Sequence, residues 1–192
     1  MPSVYQKASL KALLARFLSE QGHALPDHTP LKSPSSLSRF LNRYSWSTRQ
    51  VIRTTRAAVL DQLAVHRVPS NVPVRLLIDL TTLKKTGKFW HLSTPTEAVD
   101  APEPWVRMLN GKRGLHLVVL YLVIGERHVP WSFRVWHGIG EDSRSQVACK
   151  LLETVPKRLT RGRSVIVQGD TEFGTVAFLN AVSRRQWRAV VG

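Results

Sequence analysis

The 192-residue chain carries 28 Lys and Arg against 13 Asp and Glu, a formal net charge of +15, so a polyanionic partner is the first expectation. Hydrophobic residues at 43% and charged residues at 21% are ordinary for a globular chain and exclude a disordered basic tail, while the length excludes a large multidomain enzyme. Cys149 is the only cysteine, which excludes an intrachain disulfide framework and a cysteine-based zinc cluster and suits a reducing, cytoplasmic setting.

In chain order, Leu10, Leu13, Leu14, Phe17 and Leu18 follow the spacing of one helical face and predict an amphipathic helix over residues 9–19. Residues 22–34 hold Pro26, Pro30 and Pro34 without periodicity and read as a connecting loop. Ser35 or Ser36 is placed to cap a short helix carrying Leu37, Phe40 and Leu41. Ser47 is placed to cap a longer one that runs to about Ala64 through Val51, Ile52, Val59, Leu60 and Leu63. Residues 1–70 are thus expected to form a small all-helical module.

Past Pro69 and Ser70 the pattern changes. Residues 74–80 form a short, mostly apolar run, as for a strand buried on both faces. Residues 115–124 and 129–136 are two more strand-like runs joined by a turn containing Gly125, and they predict a hairpin whose Trp131, Phe133 and Val135 alternate onto the core. A helix should start near Asp142 or Ser143, bury Val147, Leu151, Leu152 and Val155, and end or kink at Pro156. Residues 164–168 predict a strand, 173–185 a helix and 187–191 a last strand, with 81–114 and 160–163 left as loops. The predicted order over residues 71–192 is βββαβαβ, a mixed α/β fold. The longest apolar run is interrupted by His116 and is shorter than the roughly 20 residues that cross a bilayer, and no signal-peptide core is present, so no membrane partner and no secretion are expected.

Asp79 is the only charge in the apolar stretch 76–80, and Asp170 lies just past Val165-Ile166-Val167, where a strand gives way to a loop. If these strands are parallel neighbours, both carboxylates emerge at one sheet edge, close enough to bridge divalent ions for phosphoryl transfer. The bland reading of each is a loop-capping aspartate that binds local backbone N–H groups. Arg49, Arg53 and Arg56 fall on one side of a predicted helix in a module with ten basic and three acidic residues, a candidate DNA-facing stripe against the default of a solvated face. Lys84, Lys85 and Lys88 follow Asp79 and either hold DNA phosphates or form a solvated loop. The seven histidines show no ligand spacing.

Leu76-Leu77-Ile78-Asp79-Leu80-Thr81-Thr82-Leu83-Lys84-Lys85-Thr86-Gly87-Lys88 resembles the first catalytic-aspartate motif of bacterial DDE transposases of the insertion-sequence-four branch. Val165-Ile166-Val167-Gln168-Gly169-Asp170-Thr171-Glu172-Phe173-Gly174 resembles the second-aspartate motif. The segments Asn110-Gly111-Lys112-Arg113-Gly114-Leu115-His116 and Trp131-Ser132-Phe133-Arg134-Val135-Trp136 are similar to the intervening parts of such enzymes, and Ser36-Leu37-Ser38-Arg39-Phe40-Leu41-Asn42 to their N-terminal helical region.

The resemblance implies a ribonuclease-H-like core over residues 71–192, preceded by a DNA-binding module over 1–70. It implies Asp79 and Asp170 as catalytic ligands of Mg2+ or Mn2+, double-stranded transposon ends as substrate, and a cytoplasmic, nucleoid-associated protein. Family members also use a glutamate on a later helix, and nothing acidic follows Glu172 here, so the expectation is a C-terminally truncated transposase that retains DNA affinity and is catalytically incomplete. Two alternatives stand beside it. One is a non-enzymatic remnant that occupies element ends or joins full-length transposase subunits and inhibits them, a homo-oligomer being the other expected association. The other is a ribonuclease-H-type nuclease in which Glu172 is the third ligand.

Overall fold

The computed structural model describes residues 3–19, 32–43, 47–63, 68–84, 107–109, 111–138 and 142–192. The chain divides into two compact units, Met1–Ala57 and Ala58–Gly192.

The first unit holds helices α1 (Val4–Ser19) and α2 (Pro34–Asn42) and most of α3 (Thr48–Leu63). α1 begins five residues earlier than its apolar spacing predicts, and Gln6, Ser9, Ala12 and Leu13 are its buried positions. α2 is capped by Ser33, whose hydroxyl accepts from the Ser36 amide at 3.3 Å, with Pro34 opening the helix; the cap expected at Ser35 or Ser36 is therefore displaced. Proline favours that position because its fixed φ suits the first turn and its missing N–H has no intrahelical partner there. Leu37 and Phe40 are buried, whereas Leu41 is exposed. Ser47 caps α3 by accepting from the Gln50 amide at 3.2 Å. The end of α3 belongs to the second unit, where Leu60 and Leu63 join the core.

The second unit is built on a six-stranded mixed sheet. Its strands are β1 (Val74–Lys84), β2 (Arg107–Leu109), β3 (Lys112–Ile124), β4 (Arg127–Trp136), β5 (Val165–Gly169) and β6 (Arg188–Val191). β3 pairs antiparallel with β1, β2 and β4, while β5 pairs parallel with β1 and β6 parallel with β5. The order β4-β3-β1-β5-β6, in which β3 alone runs against the rest, is that of a ribonuclease-H-like sheet. Helices α4 (Arg144–Leu152), α5 (Lys157–Thr160) and α6 (Val176–Ser183) complete the unit, and α4 and α6 pack on each other, with α4 also against β3 and β4. Among the described residues no helix is long and apolar enough to cross a membrane.

Several predicted elements change extent. β1 continues through Thr81, Thr82, Leu83 and Lys84, and β2 and the start of β3 also fall in the stretch expected to be a loop. The helix expected over 173–185 is a 3-10 turn, Thr171–Phe173, followed by α6 with Thr175 as its cap. The 160–163 loop begins inside α5. Ser143 caps α4, and a reciprocal bond from its own amide to Gln146 closes a capping box.

The alternation expected for Trp131, Phe133 and Val135 does not hold. A bulge between Leu120 and Tyr121 leaves Trp131 outside the pairing register, since Leu120 faces Ser132 and Tyr121 faces Pro130. One extra residue reverses the sidedness of the strand. Trp131 and Trp136 are accordingly buried, and Phe133 is 61% exposed on the opposite face. The Trp131 indole N–H donates to Thr154 Oγ1 at 3.1 Å, so the buried ring keeps a polar partner.

Candidate functional site

β1 is not buried on both faces. Val74, Leu76 and Ile78 point into the core, whereas on the alternate positions Arg75 and Asp79 are exposed and Leu77 is half-buried. Asp79 therefore escapes the desolvation that its apolar neighbours suggest, and needs no buried counter-ion.

Asp170 is brought beside it by the parallel pairing of β1 with β5. Val74 is opposite Val165, and the register runs without interruption to Ile78 opposite Gly169, so the next residues on the two strands are Asp79 and Asp170. Asp170 has an extended backbone (φ −78, ψ 177), which carries the alternation of β5 through it and puts it on the face away from Val165 and Val167. Neighbouring strands lie about 4.8 Å apart, which sets the spacing of the two Asp backbones. The two aspartates thus share one face at the C-terminal edge of the parallel pair β1 and β5.

The Asp170 turn is held from below. Asp170 Oδ1 accepts from the Glu172 amide at 3.1 Å, and its carbonyl accepts from the Phe173 amide at 3.1 Å. Part of the bland capping reading is therefore also true of Asp170. Phe173 is fully buried, and its ring lies where a Cβ on Gly169 would come within 3.2 Å of Cδ2, so a side chain at 169 would press directly on this turn. Phe178 of α6 packs against it with ring centroids 6.1 Å apart. Each fully buried Phe contributes roughly 1.5–3 kcal/mol of burial, so the turn is anchored through its apolar side.

Glu172 is engaged elsewhere. Its carboxylate forms an ion pair with Arg144 of α4, and its carbonyl accepts from the buried Ser145 hydroxyl at 3.3 Å. The Arg144 guanidinium lies 4.6 Å from the centroid of the Trp136 ring, and the Trp136 indole N–H donates to the Asp142 carbonyl at 3.2 Å. Trp136 meets buried His116 edge-on at 6.1 Å, and His116 Nδ1 hydrogen-bonds Thr82 Oγ1 at 2.9 Å. One chain of contacts therefore connects the far end of β1, through β3, β4 and α4, to the turn that carries Asp170. Sequence reading missed Arg144, Ser145, His116 and Trp136, because their partners are set by the packing of α4 on the sheet. The capping signal at Ser143 marked where α4 begins but not that it lies beside the turn.

Among the described residues, no three His, Cys, Asp or Glu side chains come together as a group that could hold a metal ion. Glu172 thus does not complete the aspartate pair, and the nuclease reading that required it loses its third ligand. Asp79 and Asp170 are the residues that could hold a metal, because exposed carboxylates offer hard oxygen donors of the kind Mg2+ or Mn2+ takes.

Lys84 is exposed at the end of β1, five residues beyond Asp79, or roughly 16 Å at the rise of an extended strand. It stands on the opposite face by alternation, so it does not flank the aspartates; the reason is that β1 continues through the predicted loop. Lys85 and Lys88 lie outside the described residues. Arg49 and Arg53 are exposed on α3 and Arg56 is half-buried, at spacings that keep all three on one side of the helix.

No protein-family model matches the sequence, and no curated protein does. Three solved structures similar to the chain are all of transposases. A piggyBac transposase synaptic complex with hairpin DNA is 11% identical over 98% of this chain and 40% of its own, with a TM-score of 0.46. The catalytic domain of Mos1 mariner transposase is 14% identical over 76% of this chain and 62% of its own, with a TM-score of 0.33. The Mos1 strand transfer complex is 16% identical over 98% and 58%, with a TM-score of 0.32. The chain spans less than two thirds of the length of each. The likeness is loose, and it is the strand order and strand directions that make the sheet ribonuclease-H-like.

Proposed function

We propose that this chain is a DNA-binding protein of the DDE-transposase kind, in which Asp79 and Asp170 bind a divalent ion for phosphodiester chemistry. The observation that carries the reading is the pairing register, which sets the two aspartates side by side on one face of parallel β1 and β5. A Mg2+ or Mn2+ ion bound there would supply Lewis-acid polarisation of a phosphate oxygen and a more acidic bound water. The chain's own contribution is to position the two carboxylates. Asp79 is fixed by the long β1–β3 ladder, and Asp170 by the Phe173 anchor and the Arg144–Glu172 pair. The substrate in this reading is double-stranded DNA, drawn by the net charge of +15 and contacted by Arg49, Arg53 and Arg56.

A second reading is favoured by the missing third acid among the described residues and by the use of one Asp170 oxygen as a cap. In it the chain binds transposon ends, alone or with other transposase subunits, and does not cut.

The test is Mn2+ titration calorimetry of the wild type and of Asp79→Asn and Asp170→Asn, together with nicking of supercoiled plasmid. Asparagine caps a turn about as well as aspartate, so these changes remove charge and spare the fold. Binding weakened at least about tenfold by each change is the expected result, since each removes one of two charged ligands. Equal Mn2+ affinity in all three proteins refutes the site. Nicking lost in both variants identifies the cutting enzyme, and salt-sensitive DNA binding without nicking identifies the binder.

A further inference from the structure

A strongly basic cleft of about 990 Å3 lies at the end of β5 and β6 opposite the aspartate pair. Five of its nine lining residues are Lys or Arg and none is acidic. Lys157 and Arg158 come from α5, Arg161 and Arg163 from the turn that leads into β5, and Arg185 from the turn that leads into β6. β5 and β6 are parallel, so the segments that precede them meet at one edge of the sheet. β5 separates this edge from Asp170 by five residues, roughly 16 Å of extended chain.

Two of the cations are fixed by the fold. Arg163 donates to the carbonyls of Val68 and Pro69, each at 2.6 Å, and Arg185 donates to the Ala181 carbonyl at 2.7 Å and lies 5.8 Å from the centroid of the Trp187 ring. These bonds hold the two guanidinium groups in place. Lys157, Arg158 and Arg161 are exposed and, among the described residues, have no ion-pair partner. A site for a neutral metabolite carries only a few polar groups, whereas cations make up five of the nine residues that line this cleft. Five like charges in one concavity repel one another unless an anion shares it, and successive phosphates of a polymer satisfy several cations at once.

We infer that this cleft binds the sugar-phosphate backbone of DNA, as a contact point separate from both the aspartate pair and the α3 arginines. The inference shares its polymer with the proposed function but requires neither the metal nor Asp79 and Asp170. The shared chemistry is phosphate, which a small polyphosphate also presents.

The experiment measures fluorescence anisotropy of a short labelled duplex against salt, in EDTA, for the wild type and for the combined variant Lys157→Gln, Arg158→Gln, Arg161→Gln. Arg163 and Arg185 are left in place because they hold backbone carbonyls, and a circular-dichroism melt that matches the wild type shows that the variant is folded. Removing three phosphate contacts is expected to lower affinity at least about tenfold at moderate salt and to flatten the log–log salt slope by roughly 2 to 3. Bound DNA should also protect Lys157 from acetylation. An unchanged slope, or Lys157 acetylated equally fast with and without DNA, overturns the inference. Stoichiometric pyrophosphate binding that the variant loses while its DNA slope stays the same reassigns the cleft to a small polyphosphate and overturns it too. The assay is run in EDTA and so reads this contact without the metal, whereas the Mn2+ titration reads the aspartate pair without DNA, and the failure of either site is read without reference to the other.

Discussion

Gln186 offers the sharpest test of the backbone. Among the described residues it is the only non-glycine with positive φ, at 58°. It follows α6 at the position where a helix turns left-handed: the Gln186 amide donates to the Ser183 carbonyl at 2.8 Å and the Trp187 amide to the Val182 carbonyl at 3.3 Å. That pair of bonds is a Schellman ending, which glycine usually occupies because it has no Cβ to collide with the following carbonyl. A left-handed non-glycine costs roughly 1–2 kcal/mol, and a glycine gives back about 0.5–1 kcal/mol through its freer unfolded chain. Gln186→Gly should therefore stabilise the second unit by about 0.5–1 kcal/mol. In urea denaturation, with an m-value of about 2 kcal/mol per molar, the midpoint should rise by about 0.3–0.5 M at constant m. A midpoint that stays or falls would falsify the argument, because it would mean that the Gln186 side chain stabilises the fold by more than its backbone strain costs.

Gly114 makes the opposite case, since a Cβ there would sit 2.3 Å from the Leu83 carbonyl oxygen and 3.1 Å from Lys84 Cα, both backbone atoms that cannot swing aside. Gly114→Ala should cost about 2 kcal/mol or more and speed amide exchange at the end of β1; unaltered exchange at Leu83 and Lys84 would contradict the pairing. Burial pushes the Cys149 thiol above its ordinary range, against the lowering effect of nearby Arg185 and with a smaller raising effect from Glu153. A thiol raised in the folded state contributes stability that is complete below the unfolded value, near 8.5, and is lost as pH climbs through the folded one. Stability should thus fall more steeply with alkaline pH in the wild type than in Cys149→Ser, and equal slopes would remove the effect.

The parts of the fold that were legible in the sequence are those with local causes. The apolar runs of β1, β3 and β5 and the caps Ser47 and Ser143 depend on neighbours a few residues away, and each lies where its pattern puts it. The two aspartates are marked in the same local way, each at the end of an apolar run, but their juxtaposition depends on β1 lying beside β5. What was not legible depends on distant partners. Thr81, Thr82 and Leu83 look like the start of a loop until β3 lies beside them and His116 meets the Thr82 hydroxyl. The extra residue at Trp131 exists only relative to β3. The basic cleft gathers side chains from Lys157 to Trp187 that no single sequence window reveals. Ser33 was hidden among neighbouring serines of equal capping power.

The register that sets Asp79 beside Asp170 also has a consequence for how the protein folds. β3 and β4 are joined by two residues, with Gly125 at φ +60, and can zip together as soon as both are synthesised. β1 finds β5 only after the whole meander and α4 have been made, so this pairing closes the longest loop in the sheet and bears the largest entropic cost of closure. The two carboxylates converge only when that loop closes. A chain arrested with its antiparallel strands in place would carry both aspartates and keep them apart, so if the proposed site binds metal, its metal affinity would report on the completion of folding.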